Sequence, residues 1–397
     1  MTLAGRRVVL GVSGGIASYK SCTIARRLTD AGVAVDVVLT ASAAEFVRPV
    51  TFEALTRRPV LTSLWERGRA LTHIDLARDP DLIVIAPATA NLLARAAQGM
   101  ADDLLTAILL AATVPVMVAP GMNDEMFAHP ATQWNLSILR QRGWTIVGPA
   151  VGPLAEGPSE RPGRMAEPEE IMVHIERLLR APDSGLQGKR VLVTAGPTRE
   201  HLDPVRVITN PSSGRMGYSI AEAAFARGAD VVLVSGPTTL PPPTGAEMVH
   251  VTTTNDLLAA VEQQLPNADI LVMAAAPADF RPIERNEEKR PRDAGQVQVT
   301  LEPTQDVLES TLNARREGSI AVGFALEVAD GVRRARQKLE RKCLDLVVLN
   351  QLAEPGSGFE AETNRITLIT KTDTRELELM AKRQAAERVL DEVERLL

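Results

Sequence analysis

The chain has 397 residues, of which 45% are hydrophobic and 3% aromatic, and its formal net charge at neutral pH is −6. This length suffices for two ordinary domains with sizeable cores, so the sequence is that of a folded protein. The acidic balance excludes a typical nucleic-acid partner, and no apolar run reaches the roughly 18 residues of a membrane span. Cys22 and Cys343 form neither a disulfide framework nor a metal-ligand cluster. Together with an N-terminus that passes directly into a strand, they predict a cytoplasmic protein.

Short apolar strands alternate with helices throughout the first half of the chain. After an opening strand in RRVVL, the predicted strands are Val33–Leu39, Asp81–Ala86, Val114–Ala119 and Trp144–Val147. The predicted helices are Ile16–Asp30, Ala90–Gln98, Asp102–Ala112 and Ala131–Arg142. This alternation predicts a doubly wound parallel sheet, in which ligands bind beyond the carboxyl ends of the strands.

Small and polar residues follow the predicted strands of this half. Ser13, Gly14 and Gly15 form a turn before the first helix, where backbone N–H groups and the helix dipole can hold a phosphate. The spacing is not GxGxxG, so the turn alone is equally typical of a purely structural loop. Two later strands end in proline, small residues and an asparagine, which favours a mostly neutral pocket for a flat ring system.

Four stretches of the first half occur in a distinctive order: GVSGGIASYK, THIDLA, APATANLLARAAQGMADDLL and PGMNDEMF. In order and spacing they resemble the flavin-dependent cysteine decarboxylases, as found in the bifunctional coenzyme A biosynthesis family. The resemblance implies bound FMN and trimeric decarboxylase domains. It assigns FMN contacts to residues of the turns after the strands: Ser13, Gly14, Gly15, Thr40, Pro87, Thr89 and Asn91.

The resemblance also implies the roles of individual residues. His73 alone is more typical of a satisfied structural histidine, but it falls on the family's catalytic histidine, which handles a proton during thiol oxidation. Asn123 and Met126 match a substrate-binding PxMNxxM element, in which Gly121 replaces the more usual alanine. Asn123 would fix the substrate carboxylate without adding a neutralising charge that holds it in place.

The stretch LAEGPSERPGRM at Leu154–Met165 could be a passive connector or a lid. It resembles the family's substrate-covering flap, which ends in the same Gly-Arg-Met, so the resemblance implies a lid with Arg164 and Met165 at the substrate. The best-known members carry a proton-donating cysteine in this flap, where this chain has Glu156. Either Glu156, closed into a drier site, donates the proton itself, or it is an exposed lid residue and another group donates.

A second strand and glycine turn begin at KRVLVTAGPTRE, after a Pro-, Gly- and Ser-containing stretch that predicts a linker at 181–188. The predicted domains are therefore 1–180 and 189–397. Strands are predicted at Val231–Ser235, Asp269–Ala274, Ile320–Gly323 and Asp345–Leu349, and helices at Arg215–Arg227, Asn255–Leu265, Asp330–Arg341 and Arg375–Leu396. The sequence thus predicts an α/β fold with two doubly wound, Rossmann-like domains.

The second half contains an NPSSG turn directly before an amphipathic helix, which is typical of an anion site or of a bare capping turn. The charged run 283–293 alone is typical of a solvated surface. Together, the turn, the charged run and five further stretches resemble the phosphopantothenate–cysteine ligase half of the same family. The five stretches are AGPTREHLDPVR, MAAAPADF, TQDVL, GFALE and RQKLERKCLDLVVLN. The resemblance implies CTP with Mg²⁺ or Mn²⁺, a nucleotide-binding ligase domain that dimerises, and hence a dodecamer, and it leaves the metal ligands unassigned.

Ligation requires activation of a carboxylate, which cytidylylation achieves by forming a mixed anhydride. The resemblance implies that Asn210 holds the acyl group and that Lys289 neutralises charge developing on the triphosphate. Other substrate contacts are assigned to Ser212, Ser213 and Gly214. CTP contacts are assigned to Ala274, Ala275, Asp279, Lys289, Gln305, Asp306, Val307, Leu308, Phe324, Lys338 and Lys342.

Three hypotheses about function remain. The first is a complete bifunctional ligase and decarboxylase, acting on 4'-phosphopantothenate, cysteine and CTP. The second is an active ligase fused to a flavoprotein that decarboxylates only oxidatively, and the third is a non-catalytic regulator, against which His73 and the ligase half count. A plain NAD(P) oxidoreductase is disfavoured because GxGxxG is absent and the second strand ends in Leu39-Thr40 rather than in an acidic residue.

Overall fold

The computed structural model describes residues 3–65, 71–180, 182, 184–289, 298–327, 330–351 and 363–397. The chain divides into two compact units, Met1–Pro182 and Asp183–Leu397. Both units are α/β, which confirms the predicted fold class. In the described ranges, no helix is long and apolar enough to cross a membrane.

The first unit is built on a five-stranded parallel sheet in the order β2-β1-β3-β4-β5. Its strands are β1 (Arg7–Val12), β2 (Ala34–Leu39), β3 (Leu82–Ala88), β4 (Val116–Pro120) and β5 (Thr145–Ile146), with a small hairpin of β6 (Ala150–Val151) and β7 (Pro162–Arg164). Its helices are α1 (Ser18–Asp30), α2 (Pro49–Thr56), α3 (Thr72–Arg78), α4 (Ala90–Gln98), α5 (Leu104–Ala111), α6 (Asp124–Ala128), α7 (Pro130–Gln141) and α8 (Pro168–Arg180).

The central strands of this sheet are buried on both faces because helices cover both sides. Every residue of β3 is buried, in agreement with its uninterrupted apolar sequence LIVIAPA. The order β2-β1-β3 places a reversal of winding between β1 and β3, and such a switch point opens a crevice at the carboxyl ends of the strands. The loops that follow β1, β2, β3 and β4 therefore meet at one edge.

The second unit contains an eight-stranded sheet in the order β12-β11-β8-β13-β16-β17-β19-β20. Its strands are β8 (Arg190–Ala195), β11 (Asp230–Ser235), β12 (Ala246–His250), β13 (Ile270–Met273), β16 (Ile320–Glu327), β17 (Leu346–Gln351), β19 (Ile366–Thr370) and β20 (Thr374–Glu376). Short pairs outside the sheet are β9 (Arg199–His201) with β10 (Val207–Thr209), β14 (Phe280–Pro282) with β15 (Leu301–Pro303), and β18 (Thr363–Asn364) with β21 (Met380–Ala381). The helices are α9 (Arg215–Ala226), α10 (Thr254–Gln264), α11 (Val307–Ser310), α12 (Gly331–Arg341) and α13 (Lys382–Leu396).

The C-terminal part of this unit differs from the prediction in two respects. β19 and β20 are antiparallel, whereas the alternation predicted a wholly parallel sheet. The predicted helix Arg375–Leu396 was too long: α13 begins at Lys382, because Arg375 belongs to β20 and pairs with Leu368 of β19. In addition, Leu186 of the predicted linker is fully buried in the core of this unit.

Candidate active sites

The first unit has a cleft of about 940 Å³ at the carboxyl ends of its strands. Loops after four different strands line it, together with the segment 153–165. Of the residues predicted to contact FMN, all but Pro87 line this cleft: Ser13, Gly14, Gly15, Thr40, Thr89 and Asn91. Pro87 contributes indirectly, because its carbonyl accepts a hydrogen bond from Ser13 Oγ at 2.8 Å.

The glycine turn after β1 closely approaches the loop after β2. A Cβ at Gly14 would lie 2.3 Å from Ser42 Cβ and 2.6 Å from the Ser42 carbonyl carbon, so only glycine fits there. Ser13 Oγ also accepts a hydrogen bond from Thr89 N at 3.0 Å, which joins the turn to the start of α4. The turn therefore has one defined shape, with backbone N–H groups near the start of α1, a local arrangement suited to a phosphate.

Asn123 lies in the loop after β4, where its side chain has two separate tasks. Its Oδ1 caps α6 by accepting from Glu125 N at 2.9 Å and Met126 N at 3.3 Å. Its Nδ2 donates a hydrogen bond to Glu156 of the segment 153–165. Since capping occupies the oxygen, the amide N–H groups are the part of Asn123 that can recognise a carboxylate.

The segment 153–165, which we call the flap, docks on the loop that carries Asn123. Met122 N donates to Gly163 O at 2.9 Å, and Ser159 Oγ donates to Asp124 Oδ2 at 2.6 Å. That second hydrogen bond lowers the pKa of Asp124. Arg161 also pairs with Glu125. Met126, Arg164 and Met165, all predicted to contact substrate, line the cleft beside the flap.

His73 is the predicted catalytic residue that the structure does not bring to this cleft. It lies on α3 and is not among the residues that line the cleft of its own chain. Its Nδ1 is buried and has no hydrogen-bond partner among the described residues. A buried, unpartnered ring nitrogen is unusual for a purely structural histidine.

The second unit has a cleft of about 470 Å³ at the carboxyl ends of β13 and β16. Nine of the residues predicted to bind CTP line it: Ala275, Asp279, Gln305, Asp306, Val307, Leu308, Phe324, Lys338 and Lys342. Ala274 and Lys289 do not line it, and Lys289 is exposed. The cleft is thus bordered by both acidic and basic groups, with the lysines on or next to α12.

The two predicted lysines of this cleft are held in different ways. Lys338 Nζ donates to the Phe324 carbonyl at 2.6 Å, and burial, followed by the nearby Lys342 charge, lowers the pKa of Lys338. Lys342 is 5% exposed and pairs with Asp306. Burial alone would raise the pKa of Asp306, but the hydrogen bonds from Lys342 and from the Glu309 backbone, together with the charges of Lys342 and Lys338, outweigh burial and lower the pKa. Asp306 therefore stays ionised and keeps one lysine in place.

Asn210 follows β10 and is positioned by the backbone of a neighbouring loop. Its Nδ2 donates to Pro277 O at 2.9 Å and to Ala276 O at 3.3 Å. The predicted Ser212, Ser213 and Gly214 follow it and lead into α9, with Gly214 at φ 76° as the residue that precedes the helix. Asn210 and these three residues do not line the cleft beside α12.

A buried polar network joins the Asn210 hairpin to the loop that carries Asp279. Thr198 O accepts from Thr209 Oγ1 at 2.7 Å, and Thr198 Oγ1 accepts from Ala278 N at 2.8 Å. The Thr198 hydroxyl is 3.0 Å from that of Thr254, which donates to Glu200 at 2.8 Å. Because buried polar networks hold one geometry when every member is satisfied, this network fixes the predicted acyl-binding and nucleotide-binding loops relative to each other.

Family models match both halves of the chain. Residues 1–180 match the model described as flavoprotein, and residues 186–397 match the model described as DNA/pantothenate metabolism flavoprotein C-terminal domain. Three coenzyme A biosynthesis bifunctional proteins CoaBC are similar over almost their whole length. The Bacillus subtilis protein is 44% identical, and the match covers 98% of this chain and 97% of that protein. The Vibrio vulnificus protein is 42% identical, and the match covers 100% of this chain and 99% of that protein. That of Mycobacterium bovis is 45% identical, covering 98% and 96%. The chain belongs to the family of bifunctional coenzyme A biosynthesis proteins.

The structure places further residues in the two clefts of this family member that the sequence reasoning missed. In the first cleft, Lys20 is buried and its Nζ donates to Met165 O at 3.1 Å and to Glu167 at 3.0 Å. In the second, Arg334 and Arg341 of α12 join the two lysines. A lysine on the amphipathic helix directly after a glycine turn, and the density of arginine in GVRRARQKLER, were the available signals.

Proposed function

We propose that the chain catalyses two successive steps of coenzyme A biosynthesis. The first is CTP-dependent ligation of 4'-phosphopantothenate with L-cysteine through an acyl-cytidylate, and the second is FMN-dependent decarboxylation of that product to 4'-phosphopantetheine. As a member of the bifunctional coenzyme A biosynthesis family, the chain is an enzyme with a decarboxylase half and a ligase half. The finer proposal is carried by the two unlike clefts of one chain, one with a glycine turn and Asn123, the other bordered by basic residues of α12 and Lys342. Its small polar substrates favour a cytoplasmic location.

The first cleft suits FMN because of the shape of its glycine turn. Ser13, Gly14 and Gly15 would hold the cofactor phosphate at the start of α1, and Thr40, Thr89 and Asn91 line the space beside it. When bound, FMN would supply reversible two-electron chemistry: oxidation of the substrate thiol would give a thioaldehyde, whose C=S group can accept the electron pair left by departing CO2, and the same two electrons would later reduce the decarboxylated product. The protein's own task is to orient the carboxylate and to move protons.

Asn123 would bind the substrate carboxylate through its Nδ2. Because Oδ1 is held by the first turn of α6, the amide has a defined orientation in the cleft. A neutral donor orients the carboxylate but stabilises its charge less than a cation would, so less ground-state binding is lost when CO2 leaves. Met126, Arg164 and Met165 would complete the substrate site under the flap.

His73 would act in the cleft of a second copy of the chain. It does not line the cleft of its own chain, and its buried Nδ1 lacks a partner among the described residues. A trimeric decarboxylase assembly can bring α3 of one copy to the cleft of another. In that position the imidazole could accept the proton released as the thiol is oxidised.

The second cleft would bind CTP through the basic residues on and beside α12. Lys338 and Lys342 would contact phosphates, and Asp279 and Phe324 border the space for the remainder of the nucleotide. Mg²⁺ or Mn²⁺ would accompany the nucleotide and supply positive charge to its phosphates. Asn210 would hold phosphopantothenate, and the exposed Lys289 would reach the triphosphate when substrates bind. Dimeric ligase domains and trimeric decarboxylase domains together would produce a dodecamer.

The direct test is to supply 4'-phosphopantothenate, CTP, Mg²⁺ and cysteine to the FMN-loaded protein and to weigh the products. The proposal expects CMP, pyrophosphate and 4'-phosphopantetheine. A product two hydrogens lighter would show that decarboxylation stops at the oxidised enethiol, as the replacement of the usual flap cysteine by Glu156 allows. No turnover would refute both activities.

Two variants separate the halves. Lys342→Met removes a charge from the second cleft, so it should abolish CMP formation but still convert added phosphopantothenoylcysteine to product. Asn123→Ser keeps an oxygen that can cap α6 and removes the amide donor. It should therefore make phosphopantothenoylcysteine and fail to decarboxylate it. Loss of both activities in either variant would contradict the assignment of one step to each cleft.

A further inference from the structure

The contact between Glu156 and Asn123 places a protein carboxylate where the proposed function requires the substrate carboxylate. Asn123 Nδ2 donates to Glu156 Oε1, and its Oδ1 is occupied by the first turn of α6. Both residues line the first cleft. Glu156 and a carboxylate ligand bound to Asn123 therefore compete for the same amide group.

Glu156 is directed to Asn123 by a flap that docks on the Asn123 loop at Gly163 and forms a tight turn around Glu156. The backbone of Gly163 approaches the loop so closely that a Cβ there would lie 2.8 Å from Met122 O and 2.9 Å from Asp124 N. On the other side, Leu154 and Gly157 form a tight turn around Glu156, with Leu154 N donating to Gly157 O at 2.8 Å. The carboxyl group of Glu156 is thus presented to Asn123 by the shape of the flap.

The basic groups of the flap, and Asp124 beside it, have partners of their own. Arg161 pairs with Glu125, Asp124 accepts from Ser159, and Arg164 pairs with Glu167 at 2.6 Å. Glu167 in turn pairs with Lys20. Among the described residues, Asn123 is the one hydrogen-bond partner recorded for Glu156. No cation on the described part of the flap is therefore paired with Glu156, and the group is free to exchange.

We propose that Glu156 occupies the substrate-carboxylate position on Asn123 in the free enzyme, yields it to the substrate, and returns to it when CO2 has left. This inference rests on the proposed decarboxylation at Asn123. Two carboxylates that meet at one donor cannot easily both remain charged, so substrate binding loads a proton from solvent onto the pair. Glu156, displaced but still beside the substrate carboxylate, keeps that proton.

The exchange places the proton where the reaction needs it. When the carbon–carbon bond to the carboxylate breaks, its electron pair remains on the substrate as an enethiolate, and CO2 departs from Asn123. The carbon that has lost CO2 is the atom that must be protonated. Glu156 returning to Asn123 brings its acidic proton to that carbon, restores the C=S group for reduction by the flavin, and itself becomes a carboxylate. The decarboxylated product cannot displace it again.

The first experiment measures binding rather than turnover. Two ligands without a thiol would be used: 4'-phosphopantothenoyl-alanine, which keeps the carboxylate, and its decarboxylated counterpart, 4'-phosphopantothenoyl-ethylamine. Titration calorimetry of the FMN-loaded protein should show that Glu156→Ala binds the carboxylate ligand about 5- to 10-fold more tightly, as expected for removal of a charge-assisted hydrogen bond at an exposed site. The affinity for the decarboxylated ligand should change less than about twofold.

Repeating the titration in buffers with different ionisation enthalpies measures proton uptake. The parent should take up close to one proton per carboxylate ligand, and Glu156→Ala and Glu156→Gln should take up almost none. Glu160→Ala removes an equal charge from an exposed position of the same flap and should behave as the parent. In the Asn123→Ser background, Glu156→Ala should no longer alter the affinity for the carboxylate ligand, because the Nδ2 donor for which the two carboxylates compete is absent.

The outcomes separate this inference from the proposed function. If the parent converts phosphopantothenoylcysteine to product but Glu156→Ala leaves carboxylate affinity and proton uptake unchanged, the exchange is refuted and the decarboxylase stands. Weaker carboxylate binding by Glu156→Ala would equally refute it. If the exchange operates, Glu156→Gln releases the enethiol instead of 4'-phosphopantetheine, while Glu160→Ala releases the full product. A parent that binds neither ligand would refute both proposals.

Discussion

Replacing Gly14 by alanine is expected to weaken FMN binding without disrupting the fold of the first unit. The added methyl group would lie 2.3 Å from Ser42 Cβ, 2.6 Å from the Ser42 carbonyl carbon and 2.8 Å from its oxygen. Ordinary contacts need about 3.4 Å or more, so the turn and the loop after β2 must separate by close to 1 Å. Overpacking of this kind costs about 1–3 kcal/mol.

The free protein can relieve this strain by moving the turn away from Ser42, whereas the FMN-bound protein needs the turn in place. The cost is therefore expected in the binding equilibrium, where about 1–3 kcal/mol corresponds to a 5- to 150-fold weaker affinity. The measurement is a titration of deflavinated protein with FMN, followed by quenching of flavin fluorescence. The melting temperature of the free protein should change little.

A second substitution identifies the clash as the cause. In the Gly14→Ala background, Ser42→Gly removes the atom at 2.3 Å but leaves the backbone atoms at 2.6 and 2.8 Å, so it should restore part of the lost affinity. Gly15→Ala is the control for free-protein stability, since its methyl group would lie 3.6 Å from Thr89 Cγ2, an ordinary contact. Unchanged FMN affinity in Gly14→Ala would refute the claim that the turn must touch Ser42 to bind the cofactor.

Three further predictions concern charged groups. Arg227 is 2% exposed, and its guanidinium contacts three carboxylates of α13 at 2.6, 2.7 and 3.1 Å. Arg227→Met should therefore destabilise the second unit by about 3 kcal/mol and lower its melting temperature by about 6–12 °C. The control Arg388→Met, on the exposed side of α13, should cost less than about 1 kcal/mol. Burial and the charge of Lys342 lower the pKa of Lys338, so this lysine should lose its charge, and CTP affinity should fall, at a lower pH than an ordinary lysine would allow. In the same CTP titrations, Lys338→Arg should retain affinity further into the alkaline range. Burial, followed by the charge of Arg177, lowers the pKa of His174. Below the usual histidine pKa of about 6.5, the unfolded chain therefore binds more protons than the folded chain, and the free energy of unfolding should decline as pH falls. Denaturant unfolding of His174→Gln should show a shallower decline.

The parallel cores could be predicted because their strands are short apolar runs between glycine turns and amphipathic helices. The predicted strand Asp81–Ala86 corresponds to β3, which extends to Ala88 because that residue pairs with Pro120 after a register shift. The C-terminal strands could not be predicted in the same way. The stretch from Thr374 to Leu379 contains charged residues and leucines compatible with a helix, and pairing with β19, a contact distant along the chain, makes its first part a strand.

Residues of the clefts were predictable where they directly follow a strand or repeat a family motif, as with Ser13, Thr89 and Asn91. The position of His73 away from the cleft of its own chain could not be derived from the sequence, because a motif assigns a role to a residue without fixing where the fold places it. The contact of Glu156 with Asn123 also lay outside sequence reasoning, since it joins two loops whose approach depends on the close backbone contact at Gly163.

The two units use one architectural principle for different chemistry, and the difference lies in the charges at the strand ends. Both clefts lie at the carboxyl ends of parallel strands, where loops after successive strands converge. In the first, the neutral Asn123 is the residue proposed to hold the substrate carboxylate, and strong electrostatic stabilisation of that group would raise the barrier to the loss of CO2. In the second, Lys338, Lys342 and Arg334 line the cleft proposed for the triphosphate. Negative charge would move to the leaving group there, so positive charge would lower the barrier. Placing a lysine at Asn123 should therefore tighten substrate binding and slow decarboxylation, whereas removing a lysine from the second cleft should weaken nucleotide binding and slow ligation together.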